Sequence, residues 1–134
     1  MLGPQLERSE AHTLEQAPAS LDPEGLARLR RSVGEDPTIL AELIDTFLAD
    51  APRLLADLRQ SLERGDAAGV RLTSHSLKSN GATFGAQAFA DLCKEMETVG
   101  KAGALDGAEH LLTQVEAEYE RVKTALMAVR AQVA

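Results

Sequence analysis

Apolar residues recur three and four positions apart through most of this chain, and that spacing restricts it to amphipathic helices. The longest run keeps one phase from Leu40 to Leu62, through Ile44, Phe47 and Leu58. Apolar residues make up 44% of the chain but aromatic residues only 3%, so the core must consist mainly of aliphatic side chains. The pattern therefore predicts an all-α fold of packed helices rather than a β-sandwich.

Start and stop signals divide this pattern into one short helix and four long ones. Asp22-Pro23 and Asp36-Pro37 each place a capping carboxylate before a proline at the first helical position. Asp66 can cap another helix, and glycines separate the segments. The expected helices run from Asp22 to Val33, from Asp36 to Gly65, from Asp66 to about Thr83, from after Ala86 to near Gly100, and from Ala108 to Val129.

Pro52 lies inside the second of these segments, where it removes a backbone hydrogen bond. Because Ala51 and Leu54 keep the apolar phase on either side of it, we expect one long helix bent at Pro52 rather than two helices. Short connections then predict an up-down-up-down antiparallel four-helix bundle, with the additional N-terminal helix capping one end. Residues 1–20 show no sustained period and are predicted to be a flexible tail or linker, which leaves 21–134 as the bundle domain.

Charge and composition exclude several classes of function. The net charge of −7 argues against binding to nucleic acid or to an anionic membrane surface. The single cysteine, Cys93, excludes an internal disulfide. No apolar run approaches the roughly 20 residues that a membrane helix needs, and the N-terminus does not resemble a signal peptide. We therefore expect a cytoplasmic protein. We also expect it to be a monomer.

His75 is the side chain most suited to chemistry. On a helical wheel it falls about 140° from Val70, away from the apolar stripe that Val70 shares with Leu77. Lys78 lies one turn further on, where an ammonium suits a phosphoryl group bound to the ring. Imidazole is the side chain most easily used as a nucleophile near neutral pH. The alternative is that His75 is only a polar residue on a solvated face.

The residues His75, Leu77, Lys78, Gly85 and Ala86 resemble the signature of histidine-containing phosphotransfer (HPt) domains, the phosphocarrier modules of two-component phosphorelays. That signature is a histidine, then Leu-Lys two and three residues on, then Gly-Ala at ten and eleven. Two positions depart from it: Ser79 stands where many members have glycine, and Gly81 where serine is common. The resemblance extends more weakly over residues 20–130.

The resemblance implies a phosphocarrier. His75 would accept a phosphoryl group through Nε2 from a receiver-domain aspartate and pass it to another receiver. The implied partners are response-regulator receiver domains, with a hybrid sensor histidine kinase as a further candidate. Magnesium belongs to the receiver, so no cofactor or metal is expected on this chain. A phosphate-binding Gly-rich loop is missing, so we expect a carrier without its own ATP site rather than an enzyme.

Two residues of the following helix are implied to complete the site. Glu97 falls where the family has the residue that accepts a proton from the other ring nitrogen. Ten residues separate Gly85 from His75 and twelve separate it from Glu97, so antiparallel helices would bring both to a similar height. Lys101 falls where some members have a second cation for the phosphoryl group. The alternative for Glu97 and Lys101 is ordinary solvated charge.

A partner surface is expected around the histidine. It consists of Ala68, Leu72, Ser79 and Ala82 on the same helix face, bordered by Lys94 on the neighbouring helix. An exposed leucine among small residues often marks an interface. The other function that this sequence leaves open is a helical adaptor that binds protein partners and carries no phosphoryl group.

Overall fold

The computed structural model describes residues 20–133, and within that range it contains five α-helices and no β-strand. The prediction of a tail over residues 1–20 therefore lies almost entirely outside the described residues. Among the described helices, none is both long and apolar enough to cross a membrane. The helices are α1 (Pro23–Ser32), α2 (Pro37–Glu63), α3 (Ala67–Thr83), α4 (Gln87–Ala102) and α5 (Ala108–Val133).

Aspartate caps begin the first three helices, as the sequence predicts. Asp22 Oδ1 accepts a hydrogen bond from the backbone N–H of Glu24 at 3.2 Å. Asp36 Oδ1 accepts from Thr38 N at 2.9 Å, and Asp66 Oδ1 accepts from Gly69 N at 3.0 Å. Each carboxylate satisfies a backbone donor that has no partner within its helix, so these positions fix where the chain enters each helix.

Helix α2 is continuous through Pro52, which agrees with the prediction of a single long helix. The buried face after the proline differs from the expected one: Leu55 is buried, whereas Leu54, expected inward, is only partly buried. The reason is angular. Relative to the fully buried Ala51, Leu55 lies about 40° around the helix and Leu54 about 60° in the other direction. Leu55 is therefore nearer the centre of the stripe that faces the core.

The four long helices form a closed bundle in which each packs against the next in the chain and α5 packs back against α2. This confirms the predicted four-helix architecture. All three phenylalanines and the one tyrosine of the chain meet in its core, with ring centroids 5.3–6.5 Å apart. The four rings come from different elements: Phe47 from α2, Phe84 from the end of α3, Phe89 from α4 and Tyr119 from α5. Such tilted and edge-on aromatic pairs add about 0.5–1.5 kcal/mol each to the burial of the rings.

Helix α1 lies against the end of the bundle that carries the α3–α4 turn. The backbone N–H of Asp22 donates to the Gly85 carbonyl at 2.6 Å. A Cβ on Gly25 would lie 2.7 Å from the Cα of Gly85, so the two backbones touch where neither residue has a side chain. Gly85 also has a φ of +74°, a conformation that glycine adopts without strain. Leu21 and Leu29 are buried, and α1 thus caps one end of the bundle, as the sequence predicts.

Helices α3 and α4 approach one another closely at Gly100. A Cβ on this residue would lie 2.6 Å from the backbone N of Arg71 and 2.9 Å from the carbonyl O of Ala67. Both atoms belong to the α3 backbone, which cannot turn aside as a side chain can. The small residue therefore sets how near the two helices come at this level, and the side chains that meet across their seam depend on it.

We predict that Gly100→Ala destabilises the protein by about 1–3 kcal/mol, because the added methyl group must push α3 away from α4. The measurement is the free energy of unfolding in urea. Position 95, exposed on the same helix, supplies the control. There Glu95→Ala should be more stable than Glu95→Gly by about 1 kcal/mol, the ordinary helix preference. If alanine is also the more stable residue at position 100, the close approach does not constrain the packing.

Candidate functional site

His75 projects from the middle of α3 into solvent. Its side chain is 59% exposed, while Val70 and Leu77 on the other side of the same helix are fully buried. This is the orientation that the helical wheel predicts. An exposed imidazole is accessible to a partner's active site, which a core histidine would not be.

Glu97 contacts the imidazole from α4. Its Oε2 lies 2.8 Å from His75 Nδ1, the contact expected from the similar distances of the two residues from the Gly85 turn. A carboxylate can only accept hydrogen bonds, so Nδ1 is the nitrogen that donates and carries the proton. In the neutral ring, Nε2 is then left with its lone pair free, because one imidazole nitrogen bears the proton and the other does not.

Lys78 binds the same carboxylate through its other oxygen. Its Nζ donates to Glu97 Oε1 at 2.7 Å, so Glu97 joins an ammonium and an imidazole of the same helix. The side chains of Lys78 and Glu97 are 28% and 19% exposed, which shields the pair partly from water. The sequence indicated both residues near His75 but not this ion pair. The signal in the sequence that could have predicted this ion pair is the opposite charge of Lys78 and Glu97 on neighbouring helices.

The pKa of the Glu97 carboxyl is lowered from its ordinary value of 4.5. The largest cause is the hydrogen bond from Lys78, and the bond from His75 acts in the same direction. Partial burial opposes both, because it disfavours the charged form. The net effect keeps Glu97 ionised, and therefore an acceptor for Nδ1–H, at and below neutral pH.

The two other candidate cations lie on α4 but do not join this network. Lys101 is exposed in the last turn of the helix. Within residues 20–133 it forms no salt bridge, and neither does the exposed Lys94, one turn before Glu97. Lys101 therefore stays a predicted contributor to the site without an observed contact, and Lys94 stays a predicted edge of the partner surface.

The expected partner surface is exposed on α3. Ala68, Ser79 and Ala82 are exposed around His75, and the Leu72 side chain is one of three large apolar side chains exposed among the described residues, at 58%. The face thus combines small side chains with one accessible apolar group. It leaves space above His75 and offers apolar contact beside it.

The remaining polar candidates lie away from this network. Cys93 is buried in the core, and burial raises the pKa of its thiol to about 12, so the reactive thiolate is essentially absent near neutral pH. His110 is exposed on α5, and His12 lies outside the described residues. Within residues 20–133, no group of three or more His, Cys, Asp or Glu is placed to hold a metal ion.

A family model for the Hpt domain matches residues 42–125, more than half of the chain. The chain belongs to the Hpt domain family. The matched region contains His75, Lys78, Glu97 and Lys101, so the resemblance seen in the sequence is confirmed.

Individual relatives agree with this assignment. Histidine-containing phosphotransfer protein 2 of Arabidopsis thaliana is 27% identical over 93 residues, which are 67% of this chain and 60% of that protein. Protein 5 of the same plant is 28% identical over 93 residues, covering 67% and 59%. The match thus spans about three fifths of these relatives. The crystal structure of histidine-containing phosphotransfer protein B from Pseudomonas aeruginosa PAO1 superimposes with a TM-score of 0.76 at 33% identity, covering 84% of this chain and 96% of that one.

We predict that the Glu97 carboxyl titrates below its ordinary pKa, and that Lys78→Met raises this pKa more than His75→Gln does, because the Lys78 bond is the larger cause. The measurement is a ¹³C NMR titration of the glutamate carboxyls. The pKa of Glu97 is lower in the folded protein than in the unfolded chain. The stability that the network contributes is therefore fully present at a pH above the ordinary pKa of a glutamate, and it is lost as the pH falls through the pKa of the folded state. An unshifted Glu97 would contradict the ion pair.

Proposed function

We propose that this protein is a phosphocarrier of a two-component phosphorelay. In this proposal His75 accepts a phosphoryl group from the aspartyl phosphate of one receiver domain and passes it to the aspartate of another. The observation that supports it most is the exposed His75 imidazole whose Nδ1 is bonded to Glu97 at 2.8 Å. A solvated histidine without a function has no need of a carboxylate from a second helix.

The chemistry requires a free lone pair on Nε2. That lone pair attacks the phosphorus of the aspartyl phosphate, the N–P bond forms, and the bond from phosphorus to the aspartate oxygen breaks to release the receiver's carboxylate. The ring gains positive charge as it attacks, and the Glu97 carboxylate at Nδ1–H stabilises that charge. The reverse sequence of bonds delivers the group to the second receiver.

The chain supplies a nucleophile and nearby cations but, in this proposal, no nucleotide or metal chemistry. The ammonium of Lys78 stabilises phosphoryl charge at the ring, and Lys101 adds a second cation from α4. The receiver contributes the magnesium ion. The protein thus acts as a carrier rather than a kinase, and as a monomer, with a hybrid sensor kinase as one source of the phosphorylated receiver.

Receiver docking is proposed on the exposed face formed by Ala68, Leu72, Ser79 and Ala82, with Lys94 at its edge. Its small side chains permit the close approach that in-line transfer needs, since the two reacting atoms must come to about 3–3.5 Å. Leu72 offers an apolar contact whose burial favours association. The face surrounds His75, so docking and transfer share one surface.

We predict that His75→Gln abolishes uptake of label from a phosphorylated receiver without changing helicity or melting temperature, because the exposed ring makes no core contact. The measurement is acid-labile label on the protein after incubation with the ³²P-labelled receiver. His110→Gln, which removes the exposed histidine of α5, is the matched control and should retain full uptake.

Two results of that experiment would reject the assignment. Label retained in His75→Gln places the phosphoryl group elsewhere. A wild-type protein that binds receivers but never takes up label is an adaptor, the alternative that the sequence leaves open.

We also predict that Ala82→Arg blocks receiver binding and slows transfer at least ten-fold, because a long charged side chain obstructs the docking face. The measurement is receiver affinity by calorimetry, together with the transfer rate. Ala117→Arg, an equivalent change at an exposed position of α5, should leave both unchanged. If the two variants behave alike, the docking face lies elsewhere.

A further inference from the structure

We infer that Arg71 is a direct contact of the phosphoryl group on His75, with its guanidinium supplied by α3 one turn before the histidine. This inference rests on the proposed phosphocarrier function and adds a residue to that site. The ligand that it assigns to Arg71 is the phosphoryl group itself and not the partner protein.

Arg71 lies on the same exposed edge of α3 as His75. The two residues are four positions apart, which places their Cβ atoms about 5–6 Å from each other. Side chains of a helix lean toward its N-terminus, so the His75 ring lies over the turn that Arg71 occupies. The long side chain of Arg71 can therefore bring a guanidinium to a group attached at Nε2.

The charge of Arg71 is available to an anion. Within residues 20–133 it forms no salt bridge. The ammonium of Lys78, by contrast, lies 2.7 Å from Glu97 Oε1, so a carboxylate already offsets part of its charge. Residues 67–83 of α3 contain these two cations and no aspartate or glutamate. No carboxylate of the same helix therefore competes for Arg71.

The packing of α4 brings another cation to the level of Arg71. Gly100 lies against the α3 backbone at this residue, where a Cβ would lie 2.6 Å from Arg71 N and 3.0 Å from its Cα. Lys101 follows Gly100 directly, is exposed, and forms no salt bridge in the described part of the chain. Two cations at one level of the α3–α4 seam favour an anion there, because it offsets their mutual repulsion.

A guanidinium suits a phosphoryl group in shape as well as in charge. Its planar fork donates two parallel hydrogen bonds to two oxygens of the same group, which an ammonium does not do. The contact would hold the phosphoryl group in one orientation and offset its charge. Because Arg71 belongs to the carrier, the contact persists after the donor receiver has left with its magnesium ion.

The first test uses phosphoramidate, a small donor that needs no receiver. The lone pair of Nε2 forms the N–P bond, the P–N bond of phosphoramidate breaks, and ammonia leaves with the electron pair. The ring keeps its proton on Nδ1 and gains the positive charge. The protein carries His12→Gln and His110→Gln, so that His75 is its only histidine. The measurement is the pKa of the phosphoryl group, by ³¹P NMR titration of the phosphorylated protein.

Loss of the guanidinium should raise the pKa of the phosphoryl group, because a nearby cation favours its doubly charged form. Arg71→Met should raise it by about 0.2–0.7 unit, the range expected for one exposed ion pair. Arg71→Lys keeps the charge and should recover most of the shift. Arg28→Met, at an exposed arginine of α1, is the matched control and should leave the pKa of the phosphoryl group unchanged.

The second test separates a phosphoryl contact from a partner contact. Arg71→Met should slow the uptake of label from a phosphorylated receiver by roughly two- to five-fold, the rate equivalent of one exposed ion pair. Its affinity for the unphosphorylated receiver, measured by calorimetry, should stay at the wild-type value, because no phosphoryl group is present in that complex.

Three results overturn the inference. One is a phosphoryl pKa that does not change in Arg71→Met, or that changes equally in Arg28→Met. Another is a loss of receiver affinity in Arg71→Met without a change in that pKa, which makes Arg71 a partner contact. The third is a protein that phosphoramidate does not phosphorylate at His75.

Failure of the proposed function gives a different result. A protein that phosphoramidate phosphorylates at His75, but that takes up no label from any receiver, fails as a carrier of a phosphorelay. In that case the ³¹P titration still decides whether Arg71 contacts the phosphoryl group.

Discussion

The close approach of α3 and α4 is the constraint on which the site depends. Two glycines permit it: Gly100 against the α3 backbone, and Gly81 where a Cβ would lie 2.6 Å from the Phe89 ring. Gly85, with a φ of +74°, lies in the turn that joins the two helices. Since a Glu side chain spans only a few ångströms from its backbone, a wider separation would carry Glu97 out of reach of His75. The hydrogen bond at Nδ1 is therefore a consequence of backbone packing as much as of the two side chains that form it.

Glu97 is the charged group that links the other two polar side chains of the site, His75 and Lys78. A carboxylate and an amide are not equivalent at this position. An amide presents both a donor and an acceptor, and its orientation depends on its surroundings, whereas a carboxylate can only accept and leaves Nδ1 as the donor. The carboxylate brings a charge that partial burial disfavours, and the ammonium of Lys78 at 2.7 Å offsets that cost. Glutamate at 97 and lysine at 78 are thus matched to each other.

Much of the fold followed from local signals. Asp22, Asp36 and Asp66 identified helix starts because capping is a local interaction, and the apolar spacing identified faces that the core then buried. Errors arose where tertiary packing chose between neighbours, as with Leu54 and Leu55. Ser74 shows the same limit: it is fully buried and its hydroxyl has no hydrogen-bond partner among the described residues, and a pattern of apolar residues gives no signal for a buried serine. The contact of His75 with Glu97 could be predicted from the sequence, because it depends only on how many residues separate each of them from the Gly85 turn.

The bond between Lys78 and Glu97 could not be predicted from residue spacing, and the reason is physical. Lysine has four rotatable side-chain bonds and, from its place on α3, can extend toward Nε2, toward solvent or toward α4. Helix spacing cannot choose among these, because the choice depends on where an acceptor is already held and how well it is shielded. Glu97 is fixed by the α3–α4 seam, so its Oε1 is the nearest anion that stays in place when no phosphoryl group is present. The resting position of Lys78 therefore follows from the same glycine-limited packing that brings Glu97 to His75.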